Sequence, residues 1–161
     1  MDPVTNIFYT LIGQQIFSKA ITDASDSIYI SALNIYNYNE NIDDIIKCLD
    51  IQERIKTVNL LIKDIKEYNN IISNCILNLH DIILLIREDL KQINIIIENH
   101  KKKYFSNWRV LDCKKQVKNL KLHSVILDKR FDYLIKSLDM YVSSKIINST
   151  YYKCIKLIKY E

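Results

Sequence analysis

The sequence predicts an all-α protein, an antiparallel up-and-down four-helix bundle of long helices, and three observations carry that expectation. Two apolar ladders run at unbroken three-and-four spacing: Ile72, Ile76, Leu79, Ile83, Ile86, Leu90, Ile93, Ile97, and then Val110, Cys113, Val117, Leu120, Ser124, Leu127, Phe131, Leu134, Leu138, Tyr141. Such spacing keeps side chains on one stripe of an α-helix, so each ladder is a long helix with a seam to bury. The chain of 161 residues holds one Gly and one Pro, too few for the turns that sheets or phosphate-binding loops need. Finally, polar breaks cut it into four segments of similar length, as an up-and-down bundle with short turns requires.

The first helix begins with Asp2 as N-cap and Pro3 at its first position, the preferred order for both. It runs to about Tyr36 with Phe17, Ile21, Ala24, Ile28 and Ile35 on one stripe, and Gly13 weakens its interior. Asn37 to Asn41 is a polar turn. The second helix covers about Ile42 to Tyr68, with Cys48, Ile51, Ile55, Val58, Ile62 and Ile65 in register. Asn69-Asn70 is the next turn, and the third helix runs from about Ile71 to Lys103. A break over Tyr104 to Asn107 leads to the fourth, from Trp108 to Tyr141. Residues 1–141 thus form the bundle and residues 142–161 a basic C-terminal tail, either a short helix or strand-like. Each seam alone is marginal in water, so the helices must bury one another. A coiled-coil hairpin that self-associates through its seams is the structural alternative.

Ile (30 residues), Asn (15) and Tyr (11), with many Lys, are residues of A/T-rich codons, which points to an A/T-rich genome such as that of a large DNA virus, a protozoan or a low-GC bacterium. Cys48, Cys75, Cys113 and Cys154 form no C-x-x-C pair and no zinc spacing with His80, His100 or His123. Without a signal-peptide pattern or an uncharged apolar run of spanning length, the expectation is an intracellular, cytoplasmic protein, peripheral to a membrane if it meets one. The sequon Asn148-Ser149-Thr150 carries no meaning in that setting.

No catalytic constellation is visible. The three His share no H-x-x-x-H or E-x-x-H pattern, and there is no G-x-S-x-G, P-loop or catalytic Cys context, so we expect neither an enzyme nor a bound metal or other cofactor. Asp43-Asp44, Glu88-Asp89 and Asp128 read as solvated surface charge.

Charge is unevenly spread. Residues 1–40 hold four acids against one base (net −3), residues 41–100 ten against seven (net −3), and residues 101–161 five against fifteen (net +10). Within the last block, Lys101, Lys102, Lys103, Arg109, Lys114, Lys115, Lys118 and Lys121 cluster beside Tyr104, Phe105 and Trp108. Lys114, Lys118 and Lys121 share one helical stripe, with Lys115 beside them. A basic face beside aromatics suits an anionic membrane surface, and these eight residues are its candidate contacts. A solvated helix face is the plainer reading of the same residues. Nucleic acid is disfavoured, because no helix-turn-helix, zinc or RNA-binding signature accompanies the charge. The first helix is instead apolar and rich in small residues, fit for a core position or for release to a membrane or a partner groove.

Three features give the chain an architectural likeness. These are the apolar opening helix Val4 to Tyr36, the basic aromatic junction Lys101 to Arg109, and a fourth helix carrying Leu120, Leu127-Asp128-Lys129-Arg130-Phe131 and Leu134 to Leu138. Over residues 3–140 it resembles the HeLo-type four-helix bundles at the N-termini of cell-death executioners such as the mixed-lineage-kinase-like pseudokinase. The resemblance implies contact with anionic lipids through Lys101, Lys102, Lys103, Arg109, Lys114 and Lys118, with membrane permeabilisation or homo-oligomerisation. A free-standing bundle of this kind would act as an antagonist or decoy in host cell-death or innate immune signalling. Asn107-Trp108-Arg109 is also similar to the Asn-Trp-Gly-Arg core of viral apoptosis regulators of the B-cell-lymphoma type, without the Gly. That second resemblance implies a groove for death-promoting amphipathic helices. A binding protein with a protein partner or an anionic membrane as its target is the common expectation.

Overall fold

The computed structural model of the chain describes residues 3–36, 40–65, 69–103 and 111–158, with side chains for 19–36, 42, 44–65, 69–103 and 111–147. It is all-helical among those residues: α1 (Pro3–Tyr36), α2 (Glu40–Cys48), α3 (Ile51–Asp64), α4 (Asn70–Lys101) and α5 (Lys114–Ile158). Pro3 takes the first position of α1, as expected; Asp2, its expected cap, lies outside the described residues.

The expected second helix is two helices. Asp50 adopts a left-handed conformation at φ 48, ψ 34, and no side-chain cap compensates it. Asp tolerates this region better than most residues because its short polar side chain interacts locally. The chain stays hydrogen-bonded through the bend, from Leu49 N–H to the Ile45 carbonyl (3.0 Å) and from Arg54 N–H to the Asp50 carbonyl (3.2 Å). Cys48, expected on the seam, is exposed because the bend breaks the register between it and Ile51.

Asn69 caps α4 from extended backbone, its side-chain oxygen accepting the Ile72 N–H at 2.8 Å. That satisfies one of the donors a helix start leaves orphaned. All eight rungs of the first ladder are buried, together with Ile82. By length and composition α4 could cross a bilayer. Its apolar stripe instead forms the centre of the protein core, packed on one side by α5 and on the other by α1, while α1 also packs on α2 and α3. Burying a large aliphatic side chain favours folding by about 1.5–3 kcal/mol, so among the described residues this stripe is the largest apolar contribution from any helix.

Cross-helix pairs set directions. Cys75 meets Ser137 and Asp89 meets His123, so α4 and α5 run in opposite senses. Asn59 donates to Thr22 and Lys47 lies over the Tyr36 ring, so α1 opposes α2 and α3. The second ladder points inward at Cys113, just before α5, and on α5 at Leu120, Ser124, Leu127 and Leu134, with Val117, Phe131, Leu138 and Tyr141 half-buried against the core. Val110 lies outside the described residues.

Two boundaries of the fourth helix differ from expectation. It begins at Lys114 and not at Trp108, and it does not stop at Tyr141 but continues to Ile158. Its 45 residues make a rod of roughly 68 Å against about 48 Å for the 32 of α4. Given the Cys75–Ser137 contact, α5 passes the first residue of α4 near Val142. The segment expected as a separate tail is therefore a helical extension of α5 beyond α4.

Candidate functional site

The basic cluster assembles at one end of the molecule. The register that brings Asp89 to His123 sets the end of α4 beside the start of α5, which places Lys101, Lys102 and Lys103 near Lys114 and Lys115. Lys101, in the last turn of α4, pairs with Glu98 at 2.7 Å, and Lys102 is the C-cap residue. A cation there also meets the negative end of the helix dipole. Lys114, Lys115, Lys118 and Lys121 are all exposed on the first two turns of α5. Arg109, with Tyr104, Phe105 and Trp108, lies outside the described residues.

Helical geometry carries the face further than the lysine cluster. Opposite the buried stripe of α5, residues at three-and-four spacing form an outer stripe of Lys115, Lys118, Leu122, Val125, Lys129, Tyr133, Lys136 and Met140. All eight are exposed, and the apolar ones strongly so: Leu122 is 56%, Val125 50%, Tyr133 61% and Met140 74% accessible. Large apolar side chains interleaved with lysines over about seven turns make an interfacial pattern. Lys121 falls on the flank of this stripe. Lys129, Lys136, Leu122, Val125, Tyr133 and Met140 escaped the sequence reading. The signal was there in a second periodicity, antiphase to the ladder.

The inner side of α5 holds a polar pair that was also missed. Asp89, expected as solvated charge, is buried, and its carboxylate lies 2.5 Å from His123 Nδ1, with Asn119 as a further hydrogen-bond partner. Its position beside Leu90 and Ile93 turns it into the α4–α5 seam. Burial raises its pKa above the ordinary aspartate range, and the His123 and Asn119 hydrogen bonds only partly offset that. Nearby, Arg54 Nη1 reaches both carboxylate oxygens of Asp128 (2.6 and 2.7 Å) and the buried Ser124 hydroxyl at 3.4 Å. These groups tie α3 to α5. Arg130 of α5 donates instead to the Asn78 carbonyl of α4.

No group of three or more metal-ligating side chains occurs among the described residues. Cys113 is buried, and burial, together with the charge of Asp112, raises its thiol pKa, the opposite of nucleophilic activation.

The chain is similar to an uncharacterized protein of Acanthamoeba polyphaga mimivirus, at 29% identity over 161 aligned positions covering 81% of this chain and 75% of that protein. No protein-family model and no solved structure matches it.

Proposed function

We propose that this chain is a non-enzymatic interaction protein that lies on an anionic membrane surface through the outer face of α5. One observation carries the reading: the stripe from Lys115 to Met140, in which exposed lysines alternate with Leu122, Val125, Tyr133 and Met140 on the side of α5 facing away from the core. Lysines draw the helix to negative headgroups, and the apolar side chains enter the boundary between headgroups and acyl chains. Lys102, Lys103, Lys114 and Lys121 extend the positive surface at one end.

The architecture we infer behind this face is the antiparallel four-rod bundle, with α2 and α3 together making the second rod. The setting we propose is an intracellular viral protein acting at a membrane in host cell-death or innate immune signalling. Similarity to a mimivirus protein supports its viral part. Co-sedimentation with phosphatidylserine-containing vesicles tests the reading. Binding should exceed that to neutral phosphatidylcholine vesicles and weaken with salt. Lys115→Glu/Lys118→Glu/Lys129→Glu should reduce it roughly tenfold or more, at about 1 kcal/mol per lysine near the surface. Leu122→Ser/Val125→Ser should reduce the part that survives high salt. Equal binding to neutral vesicles, or no effect of charge reversal, refutes it.

A further inference from the structure

Away from the α5 face, α1, α2 and α3 enclose an open groove of about 470 Å³. Tyr29, Leu33, Tyr36 and Ile46 give it apolar walls, and Asp50 and Glu53 stand at its rim. Tyr29, Leu33 and Tyr36 are 53%, 43% and 53% accessible although they flank the core. The groove is lined in part by Asp50, the residue at the left-handed turn between α2 and α3. The charged side chains that line it are Asp50 and Glu53 against Lys47, a net of −1.

The helical extension of α5 has the complementary character. Residues 140–158 hold Lys145, Lys153 and Lys156 and no acid, a net of +3. Val142, Ile146 and Ile147 are exposed on it, at 54%, 62% and 67%. In the sequence Tyr151, Ile155 and Ile158 follow Ile147 at spacings of four, four and three, so an apolar helical stripe continues along the extension.

The two features cannot meet within one molecule. Asn94 donates to the Ser31 carbonyl, which places the groove level with the last third of α4, whereas the extension leaves past its first turn. About 22 residues of helix, or roughly 33 Å, separate those levels. We propose that the basic extension of α5 in one copy docks into the acidic-rimmed groove of a second copy. Joining opposite ends makes the contact heterologous, so it propagates head to tail as an open assembly. The buried seams play no part in it, and it is independent of the lipid-facing stripe.

Sedimentation velocity of the full chain without lipid tests this over a hundredfold concentration range. The expected result is a mean mass that rises with concentration and falls with added salt. One variant reverses the extension (Lys145→Glu/Lys153→Glu/Lys156→Glu) and another the rim (Asp50→Asn/Glu53→Lys). Each alone should associate roughly tenfold or more weakly, because several exposed ion pairs are lost at once. Mixed together, or combined in one chain, the two variants should regain association, because a negative extension then meets a positive rim. Circular dichroism confirms that each variant is folded; if the groove variant is not, Leu33→Lys replaces it. A full chain that is monomeric throughout, an assembly indifferent to both variants, or failure of the mixture to recover overturns the proposal.

Discussion

Replacing His123 with Leu isolates what the Asp89–His123 pair does for the seam. The two side chains lie 2.5 Å apart and are only 11% and 17% accessible, so water replaces little of the lost interaction. Leucine leaves the Asp89 carboxylate with the Asn119 side chain as a polar partner from α5. Removing one member of a fully buried pair costs about 3–5 kcal/mol. For this partly accessible pair we expect about 2–3 kcal/mol, or roughly 5–10 °C in Tm for a domain of this size. Replacing both residues, Asp89→Leu/His123→Leu, should return stability to within about 1 kcal/mol of the wild type, because an apolar pair removes the charge as well as its partner. The pH dependence has a definite sign. A carboxyl whose pKa is raised by folding contributes stability that is fully present below the ordinary aspartate range and is lost as pH rises through the raised value. Losing His123 takes away a group that lowers this pKa, so the single variant should lose stability more steeply with rising pH than the wild type. Urea denaturation followed by circular dichroism, from pH 4 to 8, measures both effects. Costs that simply add in the double variant, or a single-variant deficit that grows on acidification, would refute the assignment of a coupled pair.

Other perturbations follow from the same packing. Ile86→Ala, at a fully buried rung of α4, should cost about 2–5 kcal/mol in the same assay, through lost burial and a cavity. Arg54→Ala breaks the contacts to Asp128 and Ser124, but with those ionic side chains 35% and 49% accessible the expected cost is only about 0.5–1 kcal/mol and should shrink in 1 M salt. Asp50→Gly should stabilise by up to about 1 kcal/mol, since Gly accepts a positive φ without steric penalty, whereas Asp50→Val should destabilise by at least as much; thermal melts of the two variants distinguish them.

Helix content and core were legible in the chain because helical side chains repeat on a period that a linear sequence displays. The ladder from Ile72 to Ile97 is buried at every rung, and the end of α1 at Tyr36 follows from the polar run after it. Local chemistry was harder to weigh where two conformations compete. Nothing around Leu49 and Asp50 interrupts the apolar period strongly, yet the chain bends there, and the bend both exposes Cys48 and contributes Asp50 to the groove beside Tyr36. Likewise the fourth helix was expected to end at Tyr141, but α5 runs on through Asn148, Ser149 and Thr150. These residues are poor helix formers only by a few tenths of a kcal/mol, which is too little to end a helix.

By itself, the sequence determined an all-helical protein, the stripe each helix buries and the concentration of positive charge in its last third. Those are properties of single helices, set by a period of 3.6 residues and by composition. The tertiary structure alone decided which stripes face each other. Pairing α4 against α5 in opposite directions brought Asp89 to His123 across 34 positions of sequence, and setting α3 beside α5 brought Arg54 to Asp128 across 74. It also decided which face of α5 was left outside. A helix carries its apolar and basic residues on every side in principle; only the partner on the inner side makes Leu122, Val125, Tyr133 and Met140 an outer surface.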